Sequence, residues 1–91
     1  MLLTIFFFEK EKEFSEIRKI SYTNAVGQMT ILKNHTPYVS TIEPGTIVIE
    51  HQNNSETQIE FDSLSIIKII GNDIKIYTNC IPKFHLLSHV N

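Results

Sequence analysis

The feature that most constrains this chain is the spacing of its apolar residues. They fall in short runs at period two, and the runs are separated by Gly, Pro, Asn and Asp. Successive side chains of a strand point to opposite faces, so alternation is the mark of a half-buried strand. An amphipathic helix needs a 3.6-residue period, and no segment shows a convincing run of it. Thr46 to His51 is the cleanest case, with Ile47 and Ile49 on one face. Thr57 to Phe61 returns with Ile59 and Phe61 after the hairpin connection Gln52-Asn53-Asn54-Ser55.

The same reading places strands at Leu2 to Phe8, Glu16 to Tyr22, Met29 to Leu32, Tyr38 to Ile42, Leu64 to Ile70 and Ile74 to Thr78. Leu2 to Phe8 is apolar on both faces, as a central or covered strand would be. Ile20, Tyr22, Ile31, Leu32, Ile47, Ile49, Ile59 and Phe61 are expected in the core. Glu9 to Glu13 alternates in charge sign and reads as a solvated turn. Lys33 to Pro37 reads as irregular, because Pro37 cannot donate to a ladder. Glu43-Pro44-Gly45 is a turn, and Gly71-Asn72-Asp73 closes another hairpin. Many short strands at regular spacing predict an all-β fold: a two-sheet β-sandwich of about 8–10 short antiparallel strands.

Ninety-one residues leave room for one domain. The expected division is a sandwich over residues 1–80 and a short C-terminal tail over 81–91, too short for a stable helix of its own. With 8 basic and 10 acidic residues, the chain has no electrostatic footprint for nucleic acid. The eight residues of the largely apolar start, Met1 to Phe8, cannot cross a bilayer and lack a signal peptide's features. A single cysteine, Cys80, excludes an internal disulfide. Without an export signal, the sequons at Asn34 and Asn53 are expected to stay unglycosylated. The chain has 15 Ile, 7 Asn and 7 Lys against one Arg, the bias that A/T-rich codons produce.

Candidates for chemistry are few. Cys80, His85 and His89 form a C-x4-H-x3-H arrangement, but structural zinc takes four ligands and there is no second cysteine. Nothing marks an orienting third group or an oxyanion hole for a Cys–His pair. The three glycines stand far apart, so there is no phosphate-binding loop. No catalytic, cofactor or metal residue is therefore assigned. The residues themselves point to a small β domain that works through its surface.

One segment is more specific. Gly27 to Gly45, read as GQMTILKNHTPYVSTIEPG, resembles the segment that marks the epsilon subunit of F-type ATP synthases. In that family a glycine opens the segment, Ile-Leu follows, then a histidine, a proline two residues later, and a closing Pro-Gly. Here those positions are Gly27, Ile31, Leu32, His35, Pro37, Pro44 and Gly45, without a gap. Phe14-Ser15 resembles the family's approach to its second strand, and Ile67 to Ile76 its last hairpin. Two departures stand out. Ser63-Leu64-Ser65 replaces the family's Ser-Gly-Gly, and the chain stops at Asn91 where the family continues into a helical hairpin.

The resemblance implies a rotor subunit of the central stalk of a proton-translocating ATP synthase, linking the gamma subunit to the membrane c-ring and doing no bond chemistry itself. It implies ring contact through Gly27 and Gln28, and gamma contact through His35, Ser40 and Lys68. No cofactor and no nucleic acid are expected. The protein would sit peripherally, on the cytoplasmic face of a bacterial inner membrane or on an organellar energy-transducing membrane. The alternative is a free-standing β-sandwich adaptor for a protein or peptide ligand.

Overall fold

Alternation becomes pairing in ten strands: β1 (Leu2–Phe7), β2 (Lys10–Phe14), β3 (Ile17–Asn24), β4 (Gly27–Leu32), β5 (His35–Ile42), β6 (Gly45–His51), β7 (Glu56–Phe61), β8 (Ser65–Gly71), β9 (Asp73–Thr78) and β10 (Lys83–Leu87). The computed structural model describes residues 1–33 and 35–87, with backbone alone at His35 and Leu87. Asn34, and with it the first sequon, lies outside the described residues, as does His89.

The strands form two five-stranded sheets that pack face to face. Sheet A runs β2-β1-β9-β8-β5, and sheet B runs β10-β7-β6-β3-β4. All described ladders are antiparallel except that of β1 with β9, which is parallel, with Ile5 opposite Ile76. Sequence periodicity carries no information on which strand neighbours which, and this pairing was not foreseen.

Between the sheets lies a core built on isoleucine. Its fifteen buried apolar residues are Leu3, Tyr22, Phe61 and twelve isoleucines. Cross-strand partners such as Ile20 and Ile49, Ile47 and Ile59, or Ile67 and Ile76 face each other in register. A β-branched side chain has few rotamers to lose and packs well on a pleated surface, so an isoleucine bias suits this fold. The three remaining isoleucines, Ile66, Ile70 and Ile81, are exposed.

Three expectations change. Leu32 is exposed, its side chain pointing away from its buried neighbour Ile31. The charged run is an edge strand, not a turn: β2 pairs with β1, Glu11 opposite Phe6 and Glu13 opposite Thr4. Lys and Glu along an edge keep its free backbone groups from templating a foreign strand. The residues read as a tail contain β10, which pairs with β7. Phe84 of β10 meets Phe14 at 5.8 Å and Phe7 at 6.4 Å between ring centres, covering the side of the sandwich between β2 and β10.

A fourth expectation changes too: His35 to Pro37, read as irregular, belong to edge strand β5, where the register shifts between His35 and Tyr38. That is the place a sheet tolerates a residue without an N–H. The Gly71-Asn72 turn has Gly71 at φ 60°, a conformation that suits glycine at the first loop position.

Candidate functional site

The two outer sheet faces differ in kind. On sheet B, Lys19 and Arg18 of β3 bind Glu50 of β6 at 2.7 and 3.2 Å. Beside them Gln58 donates to Glu56, and His85 stands 4.0 Å from Glu60. The Lys19 ammonium, more than Arg18, holds the Glu50 carboxyl below its ordinary value. Most of the charge on this face is paired within it, although Leu32, opposite Lys19, is a large exposed apolar side chain there.

The outer face of sheet A differs. Row by row across the strands it carries Phe6, Tyr77 and Ile66; then Thr4, Lys75, Lys68 and Val39; then Leu2, Asp73 and Ile70. Val39 is 63%, Ile70 56% and Ile66 49% exposed, large apolar side chains facing water around Lys68. Phe6 and Tyr77 stack with ring centres 5.1 Å apart and planes 11° from parallel. Apolar residues gathered in this way mark an interaction surface.

The apolar surface continues around one end of the sandwich. The turns Phe8-Glu9, Ala25-Val26 and Glu43-Pro44 lie there, together with the connections at 62–64 and 79–82. Phe8, Leu64 and Ile81 are all more than half exposed at this end. A depression of about 340 Å³ joins Phe8 and Leu64 to Phe6, Ile66 and Tyr77. Phe8 is held at φ 57°, a left-handed conformation that costs a bulky residue about 1–2 kcal/mol.

At the same end, Asn24 organises the β3–β4 hairpin. Its Oδ1 accepts from the backbone N–H of Val26 at 2.9 Å and of Gly27 at 3.1 Å, and its Nδ2 donates to Ser40 Oγ at 3.1 Å. Ser40 in turn donates to the carbonyl of Thr41. The backbone N–H of Glu43 binds the Thr23 carbonyl at 2.8 Å, tying the β5–β6 turn to the same hairpin. Val26 stands at the tip, 92% exposed.

The residues singled out in the sequence thus do not form one cluster. Gly27 and Gln28 lie next to the turn of the hairpin, and Lys68 is on the outer face of sheet A opposite Val39. Ser40 pairs with Ile67 on the reverse side of sheet A and belongs to the hairpin network. Burial pushes the hydroxyl of Tyr22, beside Ser40, above its ordinary value. The backbone of His35 pairs with Gly71 at the opposite end of the sandwich. Alternation along β5 already separates Ser40, in phase with Ile42, from Val39. Phe8 and Leu64 read in the sequence only as strand ends and Val26 as loop, so periodicity does not mark these exposed tips as a surface.

Ser65 is buried and donates to Thr78 Oγ1 at 2.8 Å. Thr78 also lies 3.2 Å from Cys80 Sγ. Burial raises the Cys80 thiol, but Thr78, Asp62 and Ser63 together outweigh it and leave the thiol below its ordinary value. Among the described residues no group of three His, Cys, Asp or Glu side chains is placed to hold a metal ion.

Residues 2–81 match the family model of the ATP synthase delta/epsilon chain β-sandwich domain. The chain belongs to this family. Among curated relatives, the ATP synthase epsilon chain of Wolbachia pipientis (strain wPip) is 30% identical over 76 residues, covering 84% of this chain and 66% of that one. That of Clostridium perfringens (strain SM101) is 30% identical over 64 residues, 70% of this chain and 47% of the relative. The chain therefore spans between about half and two thirds of the length of these family members.

Two solved assemblies share the fold. A chain of the Euglena gracilis mitochondrial ATP synthase (OSCP/F1/c-ring) superposes with a TM-score of 0.76 at 19% identity, covering 88% of this chain and 51% of that one. One from the central stalk and c-ring of the Tetrahymena thermophila enzyme gives 0.67 at 14% identity, covering 96% and 65%. No helix among the described residues is long and apolar enough to cross a membrane.

Proposed function

We propose that this chain is a rotor subunit of the central stalk of a proton-translocating F-type ATP synthase, joining the gamma subunit to the c-ring. Its work is mechanical, and bond chemistry belongs to other subunits. Torque transfer needs a stiff body with two docking surfaces, and a close-packed sandwich has that stiffness. The observation that carries the reading is the contrast between the two outer faces. Sheet B pairs its own charges, while sheet A leaves Val39, Ile66, Ile70 and Tyr77 to a partner.

In this reading gamma covers the outer face of sheet A around Lys68, with His35 toward one margin. The hairpin end meets the polar loops of the ring through Gly27, Gln28 and the exposed Val26. Ser40 serves that end indirectly, by holding Asn24. The protein is peripheral to the energy-transducing membrane, bacterial or organellar, and reaches it only through the complex.

Mixing the chain with its cognate gamma subunit tests this. A stable complex is expected on gel filtration, lost in the double variant Val39→Asn/Ile66→Asn and retained in Gln58→Asn on the outer face of sheet B. Failure of the unaltered chain to bind gamma would sink the proposal.

A further inference from the structure

Resting on that reading, we infer that the surface covering sheet A is apolar with carboxylates at its centre, set against Lys68 and Lys75. The two lysines are direct cross-strand partners on β8 and β9. Like charges opposite each other destabilise a sheet. Among the described residues neither lysine forms an ion pair, as is also true of Lys10, Lys12, Lys33 and Lys83; what sets these two apart is that they face each other in the middle row of the outer face of sheet A.

The nearest acid on this face is Asp73, which shares a depression of about 110 Å³ with Lys68, Ile70 and Lys75, one carboxylate beside two ammonium groups. Glu11 and Glu13 lie on edge strand β2, with Thr4 of β1 between Glu13 and Lys75. They belong to the margin of the face, which stays wet in a complex, while the lysines stand among Ile66, Ile70, Tyr77 and Val39 at its centre. A partner that buries this centre strips water from two like charges. Unless it brings its own carboxylates, nothing offsets that desolvation.

The same arrangement opposes a second copy of this chain as the occupant. Two such faces related by a two-fold axis near the centre would bring four ammonium groups together.

The experiment measures binding of the full chain to gamma across a series of salt concentrations. Lys68→Gln/Lys75→Gln is expected to weaken binding about tenfold or more at low salt and to flatten its salt dependence, with Lys68→Arg/Lys75→Arg close to the unaltered chain. If the glutamine variant binds normally while Val39→Asn/Ile66→Asn does not, the carboxylate inference is overturned and the docking face stands. If neither variant weakens binding, the face itself is wrong and both fall. Dimerisation of the free chain in light scattering, relieved by Val39→Asn/Ile66→Asn, would likewise overturn it in favour of a second copy. Circular dichroism melts of each variant verify that these exposed positions leave the fold intact.

Discussion

Replacing Asn24 by Ala tests how the hairpin end is held. The side chain is 6% exposed and makes three hydrogen bonds, to the N–H groups of Val26 and Gly27 and to Ser40 Oγ. A net hydrogen bond contributes about 1 kcal/mol, and the two backbone donors belong to exposed residues that water can reach again. The total expected cost is therefore about 2 kcal/mol. For a domain of this size that is a fall of about 10 °C in Tm. With a urea m-value of about 1 kcal/mol/M, the midpoint drops by about 2 M.

Far-UV circular dichroism or tyrosine fluorescence reads both, the chain having three Tyr and no Trp. Ser40→Ala loses one of the three bonds and should cost about 1 kcal/mol. Asn24→Ala/Ser40→Ala should cost little more than Asn24→Ala, since neighbours sharing a bond are not additive. An Asn24→Ala loss below about 0.5 kcal/mol, or full additivity in the double variant, would refute the network.

Three further outcomes are expected. Ile67→Ala, at a fully buried position, should cost about 2–5 kcal/mol in urea unfolding, against about 0.5 kcal/mol for its exposed neighbour Ile66→Ala. Glu50, held below its ordinary value of 4.5 by Lys19 and Arg18, stabilises the fold above that pH and loses the effect as pH falls beneath it. The stability gap between the unaltered chain and Glu50→Gln should accordingly shrink between neutral pH and acid. Cys80 should alkylate with a pH midpoint below 9.0, and Thr78→Val should move that midpoint upward.

Where one face of a strand is buried, the sequence declares it. Ile47 and Ile49, or Ile59 and Phe61, alternate because every second side chain meets the core. Strand β2 was hidden because an edge strand guarded by Lys and Glu has no apolar phase to show, and β10 because only Phe84 and Leu86 carry one. Partner choice between strands is a property of the whole chain, so the β1–β9 ladder left no local trace. The proposed docking surfaces are half legible. The motif from Gly27 to Gly45 marked the hairpin, but the outer face of sheet A draws on β1, β5 and the β8–β9 hairpin, three separate parts of the sequence, and becomes one surface only on folding.

The parallel ladder between β1 and β9 also sets the order of events during synthesis. Strand β1 leaves the ribosome first, and β2 gives it one neighbour almost at once. Its other neighbour, β9, arrives only after the intervening strands β2 to β8 have been made. Until then Leu3 and Ile5 lack half of the sheet that buries them, and closing so long a loop delays the final step. A nascent chain paused before Asp73 should therefore expose an aggregation-prone N-terminal hairpin, and the fold should lock only when the segment through Thr78 has emerged.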